Sequence, residues 1–386
     1  MVISSYANFF SLFIFTIFLA PAAILGIMGK KIKWYGIIVS IPMLVLLLGI
    51  TSLQMLHFLI FIVCETFLIY FYYFFKKRFN NKFIYYLVFL LSTFPIILIK
   101  LCPHINRISS LGFIGISYIS FRIWQLIIEI HDNHIEKLPL HEMLYFITFF
   151  PTISSGPIDR YQHFKNNIEA KIQTNEYIHE YLLFGIKKIF LGIIYKFTLA
   201  SFINIFVIAK LPSHASSIGT TILYMYAYTL YLFFDFAGYS NFAIGTSYIL
   251  GVKAPENFNK PFLAHNMKEF WDRWHISLSK WFGDYLFSRF VLNTLRNGTF
   301  KSKKVAVRCG YMLTMLVMGL WHGTYVFYLV YGLYQGLMLV FTDVYVKSKT
   351  YRKFKKSKYY DVISRIVCFQ IIAFGMLLFS GYLFKF

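Results

Sequence analysis

Met318-Gly319-Leu320-Trp321-His322-Gly323 sets a histidine inside an apolar stretch that runs from Cys309 to Val346 between basic loops. Thirty-eight residues suit a there-and-back hairpin with its apex near Phe327. The imidazole then lies roughly 8 Å below the outer end, at about 1.5 Å per residue. Burying an ionisable group in lipid costs free energy unless a partner or water compensates, so His322 is a functional candidate by default. Two roles are open to it. It can be a neutral ring bonded to a backbone carbonyl, or a base that takes a proton from a hydroxyl, because imidazole titrates near neutral pH. Gly319 and Gly323 bracket it at i and i+4, a spacing that lets a helix or a substrate chain approach closely.

A second constellation is Phe270-Trp271-Asp272-Arg273-Trp274-His275-Ile276-Ser277-Leu278. On a helix, Asp272 and His275 share a face. The carboxylate can orient the imidazole, but the same spacing serves an ordinary surface ion pair, which spacing alone favours. Asp272 and Arg273, being adjacent, cannot pair across one face. Trp271, Trp274 and Trp281 suit an interfacial anchor better than a cavity wall. Asp235, within Phe234-Asp235-Phe236-Ala237-Gly238-Tyr239-Ser240-Asn241, must be paired, protonated or wetted, and a structural hydrogen-bond centre is the expected role. Glu65 has the same status.

These side chains need elements to hold them, and composition fixes the solvent. Of 386 residues, 58% are apolar and 14% charged, too few polar side chains for a water-facing surface. Aromatics at 21% suit lipid-facing helices and headgroup belts. The net charge of +22 does not indicate nucleic-acid binding: residues 30–33, 76–82, 296–308 and 347–358 hold 19 of the 38 Lys and Arg with no acid among them. Basic loops between apolar segments are the pattern of cytoplasmic loops. Cys64, Cys102, Cys309 and Cys368 lack disulfide or zinc spacing and read as packing residues. No basic residue precedes the first apolar run, so that run reads as a retained helix with the N-terminus outside. Phosphate loops, HExxH and GxSxG are missing, so nucleotide, metalloprotease and hydrolase readings have no anchor.

Length and apolarity predict helices over 8–28, two across 34–75 with a turn near 51–54, and further helices over 83–101 and 111–130. Residues 139–167, interrupted by Pro139, Pro151, Gly156 and Pro157, suit a broken element beside an internal cavity. The runs 177–209 and 218–251 exceed a bilayer's thickness and must tilt or kink, with Lys187, Lys188 and Lys196 facing partners or a cavity. An amphipathic helix is expected over 268–290, then the hairpin, then a last crossing over 362–384. The sum is about ten crossings plus two re-entrant or interfacial elements, in one all-α membrane domain spanning residues 1–386.

The motifs resemble those of the membrane-bound O-acyltransferase (MBOAT) family, and within it the DltB-like branch that serves D-alanylation of teichoic acids. The resemblance rests on Gly115-Ile116-Ser117-Tyr118 with Phe121-Arg122, on Ser155-Gly156-Pro157-Ile158-Asp159-Arg160-Tyr161, on Asp235-Phe236-Ala237-Gly238-Tyr239-Ser240, and on the stretch from Asn257 through Trp271–Leu278 to Trp321-His322-Gly323. It covers most of residues 100–345. The family fold it implies is a ring of ten to eleven tilted helices around a central tunnel. It assigns His322 to the family's central active-site histidine and His275 to a second, more cytoplasmic one. It makes Trp321, Gly323, Trp271, Asp272, Arg273, Trp274, Ser277 and Asp235 tunnel or substrate candidates.

The implied donor is a D-alanyl thioester on the phosphopantetheine arm of an acidic cytoplasmic carrier protein, with no permanently bound cofactor or metal. The implied acceptor is an extracellular hydroxyl on teichoic acid or on a partner protein of the same membrane system. Two rivals stand beside this: an O-acetyltransferase of a cell-wall or exopolysaccharide, and a proton-coupled transporter, for which no inverted repeat is detectable.

Overall fold

The computed structural model describes residues 9–49, 52–79, 81–101 and 112–385. Cys102, Thr51 and the first residues fall outside that range. Among the described residues there is no strand, only an isolated antiparallel bridge between Phe258 and Trp274. Among the described residues six helices are long and apolar enough to cross a membrane: Leu53–Arg78, Lys82–Leu101, Thr174–Lys210, Lys303–His322, Val326–Val346 and Tyr360–Phe379. Lys33–Leu48 is a shorter apolar helix of 16 residues. Lys33–Leu48 and Leu53–Arg78 divide the 34–75 stretch as expected, with Ser52 capping the second by accepting a bond from Met55 N.

The chain forms two compact units, Met1–Ile193 with Tyr239–Pro255, and Ile194–Gly238 with Glu256–Phe386. At the centre of the first lies Ile116–His131, apolar on nearly every side and buried over 13 of its 16 residues, as a helix surrounded by protein should be. Its Arg122 is 2% exposed. It holds the broken segment: Nη1 donates to the carbonyls of Phe146 and Ile147, each at 2.9 Å, and Nη2 to that of Thr152 at 2.9 Å and to the Thr152 hydroxyl. Those carbonyls belong to the end of helix Leu140–Thr148 and the turn Phe150–Thr152. Proline and the lost helical ladder leave these acceptors without backbone donors, and a buried guanidinium with five N–H groups replaces them.

Thr174–Lys210 runs 37 residues and holds two π-helical stretches, Tyr177–Leu182 and Ile194–Ala200. At about 1.5 Å per residue it is roughly 55 Å long, well beyond a bilayer's hydrocarbon core. Of its lysines, Lys188 bonds Asn241 at 3.2 Å within the first unit and Lys196 bonds Asp235 at 2.5 Å within the second, while Lys187 is exposed.

In the second unit the expected hairpin forms as Lys303–His322 and Val326–Val346. Its apex lies at residues 323–325, so His322 ends the first arm instead of lying about five residues within it. Gly323 causes the early reversal: it sits under the Tyr328 ring, where a Cβ would meet ring carbon at 2.5 Å. Lower down, a Cβ on Gly319 would stand 2.5 Å from the Tyr328 carbonyl oxygen, and one on Gly332 2.6 Å from that of Met315. Backbone touches backbone along this seam, as small residues allow between membrane helices. Gly319→Val should therefore destabilise the folded state by about 1–3 kcal/mol, read as a lower thermal unfolding midpoint in detergent. An unchanged midpoint would show that the seam can open.

The amphipathic helix over 268–290 is two helices. Asn266 caps Met267–Trp271 by accepting from the amides of Lys268 and Glu269 at 3.1 and 3.0 Å. That helix ends at Trp271, and a second, Ile276–Phe282, continues through the π turn Gly283–Phe287 into Ser288–Arg296. Asp272 and His275 flank the break and share no helix face.

Candidate active site

The break is held by contacts remote in sequence. Residues 257–259 lie alongside 273–276: Asn259 N donates to Arg273 O at 3.0 Å, and Ile276 N donates to Asn257 O at 3.0 Å. The Asn257 side chain then accepts from the Ser277 hydroxyl at 2.6 Å and from Ser277 N at 3.2 Å. Between these clamps His275 adopts a left-handed backbone, φ 45° and ψ 51°, a conformation that costs a non-glycine residue of order 1–3 kcal/mol and persists when its surroundings over-determine it. Its ring is thereby turned inward, 4% exposed, with Phe236 edge-on at 4.6 Å.

Burial pushes the His275 imidazole down to about 3, so it is neutral at physiological pH. The unfolded chain binds a proton here near pH 6.5. The contribution of this ring to stability is therefore complete above pH 6.5 and is lost as pH falls from there toward 3, by up to about 1.4 kcal/mol per pH unit. His275→Asn should flatten that part of the stability profile, measured by denaturation in detergent between pH 4 and 7. A variant with an unaltered slope would mean that other groups carry it.

His322 is half-buried, with the Phe379 ring edge-on at 4.9 Å and Trp321 at 4.7 Å. Both imidazoles line one cavity of about 60 Å³, with Trp271, Trp274, Met318 and Tyr331 among its walls. Space of that order holds a couple of waters or a small acyl group. A larger cavity of about 530 Å³ lies beside it, lined by Lys268, Asp272, Lys280, Thr314 and others. Trp271 and Met318 line both cavities. The Trp271 indole N–H is buried without an acceptor among the described residues.

The break thus brings Trp271, Trp274 and His275 to His322. The tryptophans 271, 274 and 281 are buried, at 6%, 5% and 5% exposure, which corrects their reading as interfacial anchors: 271 and 274 are cavity wall. Four other candidates are engaged elsewhere. Ser277 is spent on Asn257. Arg273 pairs with Glu269 at 2.7 Å. Asp235 is paired with Lys196, the structural role expected of it. Gly323 packs under Tyr328. Asp272 lines the larger cavity, not the one with the histidines. Sequence reading missed Asn257, Phe236, Met318, Tyr331 and Phe379 as parts of the site. They come from five separate stretches of the chain.

Chemically, a dry neutral imidazole and a half-buried one on a shared cavity can orient a carbonyl compound and take a proton from an attacking hydroxyl.

Comparisons with known proteins bear on this arrangement. The model of the MBOAT, membrane-bound O-acyltransferase, family matches residues 79–384. The teichoic acid D-alanyltransferase of Bacillus subtilis (strain 168) is 39% identical, over 97% of this chain and 98% of its own length. That of Streptococcus thermophilus is 38% identical, over 98% of this chain and 95% of its own. The probable alginate O-acetylase AlgI of Pseudomonas syringae pv. tomato is 31% identical over 69% of this chain and 49% of its own length.

Proposed function

The chain belongs to the membrane-bound O-acyltransferase family, and from that premise we propose that it is a membrane acyltransferase moving a D-alanyl group from a carrier-bound thioester to a hydroxyl acceptor for D-alanylation of teichoic acid. The observation that carries this reading is the shared cavity of His275 and His322 in a chain whose near-full-length relatives are named for D-alanyl transfer. The cavity of about 530 Å³ is of the size that holds an elongated organic ligand, and it suits the phosphopantetheine arm of an acidic carrier protein. The basic loops at 30–33, 76–82, 296–308 and 347–358 then face the cytoplasm, where they speed the encounter with that carrier, and the N-terminus lies outside.

In the reaction, His322 takes the proton of the acceptor hydroxyl as its oxygen attacks the thioester carbonyl. The C–S bond breaks, the ester C–O bond remains, and the departing thiolate recovers the proton from the imidazolium. His275 lines the path of the acyl group as a neutral ring. The acceptor is teichoic acid itself or a partner protein of the D-alanylation system that relays the group.

The reading is tested by reconstituting the purified protein in liposomes and offering carrier protein charged with labelled D-alanine beside labelled acetyl-CoA. Consumption of the D-alanyl thioester with label appearing on a hydroxyl acceptor is the expected result. Transfer from acetyl-CoA alone would replace it with the O-acetyltransferase reading that the AlgI relatives suggest. Proton-coupled uptake without acyl transfer would replace it with transport.

A further inference from the structure

The reaction as proposed leaves Asp272 without a task. Its carboxylate lines the cavity of about 530 Å³, and it directly follows Trp271, a wall of both cavities. No ion pair or side-chain hydrogen bond of Asp272 occurs among the described residues. Arg273, its neighbour, is taken by Glu269 at 2.7 Å. The other charged groups on the cavity wall are Lys268, Lys280 and Asp284, and Tyr311 lines it too. Apolar side chains such as Ile276, Phe282, Phe287 and Met315 make up much of the remainder. Asp272 is exposed toward this space, so its charge is open to a cation carried by a ligand seated there.

The donor brings that cation. An aminoacyl thioester carries an ammonium group one carbon from the carbonyl under attack, whereas an acetyl thioester carries none. We propose that Asp272 is the residue that selects an aminoacyl donor over a neutral one, by pairing with the α-ammonium as the acyl group passes toward His322. The proposal rests on the D-alanyl reading above. Lys268 and Lys280 line the same cavity and suit the phosphate of the arm.

The test compares carrier protein charged with D-alanine and carrier charged with D-lactate, in which a hydroxyl replaces the ammonium at nearly equal volume, using the full chain in liposomes. Wild-type protein should prefer D-alanyl. Asp272→Asn should lower kcat/KM for D-alanyl about tenfold, the worth of about 1.4 kcal/mol, and leave D-lactyl transfer unchanged. Asp272→Glu, which keeps the charge, should retain the preference. An equal fall for both donors in Asp272→Asn, or no fall in either, overturns the assignment while leaving D-alanyl transfer intact. Failure of the wild type to use the D-alanyl carrier at all overturns the function and this assignment together.

Discussion

His322→Ala should lower D-alanyl transfer by about 10²–10⁴-fold, the usual worth of a positioned general base, while carrier binding and the thermal midpoint stay near wild-type values. The ring ends helix Lys303–His322, so its removal leaves the seam at Gly319 and Gly332 untouched. It is only half-buried, beside the rings of Trp321 and Phe379. Loss of a base acts on kcat, and loss of a tunnel wall acts on KM for the carrier. Steady-state transfer with charged carrier, at several carrier concentrations, separates these. Near-normal kcat in the variant would remove His322 from the chemistry. His322→Gln, which keeps a hydrogen-bonding side chain without a base of suitable pKa, should fall almost as far.

Arg122→Ala should be the most destabilising single change in the first unit, costing about 3–5 kcal/mol. The guanidinium satisfies three carbonyls at 2.9 Å and a hydroxyl from residues 146–152, and its deletion leaves these buried acceptors without that donor. Arg122→Lys should rescue little, because a compact ammonium cannot reach a spread of acceptors that a planar fork bridges. Fluorescence-detected size exclusion after heating in detergent reads the loss as a midpoint lower by several degrees. A midpoint equal to that of the wild type would show that water reaches the segment and takes over its carbonyls.

The helical framework was legible because length and apolarity report directly on the bilayer. The helices Leu53–Arg78 and Lys82–Leu101, the hairpin and the broken 139–167 segment all follow from residue runs of the right length. What escaped was set by contacts distant in sequence. The periodicity of Phe270, Trp274 and Leu278 fits one helix, yet Asn257, about twenty residues upstream, competes for the amides of Ile276 and Ser277 and breaks it. For the same reason the tryptophans face a cavity instead of a headgroup layer. The hairpin apex shifted because Gly323 stacks against a ring five residues ahead, a local event that hydropathy does not sense. His322 and His275 were legible as residues from their motifs, but their meeting on one cavity was not, since it depends on that break.

The left-handed turn at position 275 also restricts what a mutational library can recover there. Asn and Asp tolerate that backbone, whereas valine, isoleucine and threonine do not. A saturation scan scored only for correctly inserted protein should thus rank short amides and carboxylates above branched residues of closer volume. Whatever amino acid a homologous enzyme uses at this point, it will come from the small set that can bend the main chain the wrong way and still offer a polar tip.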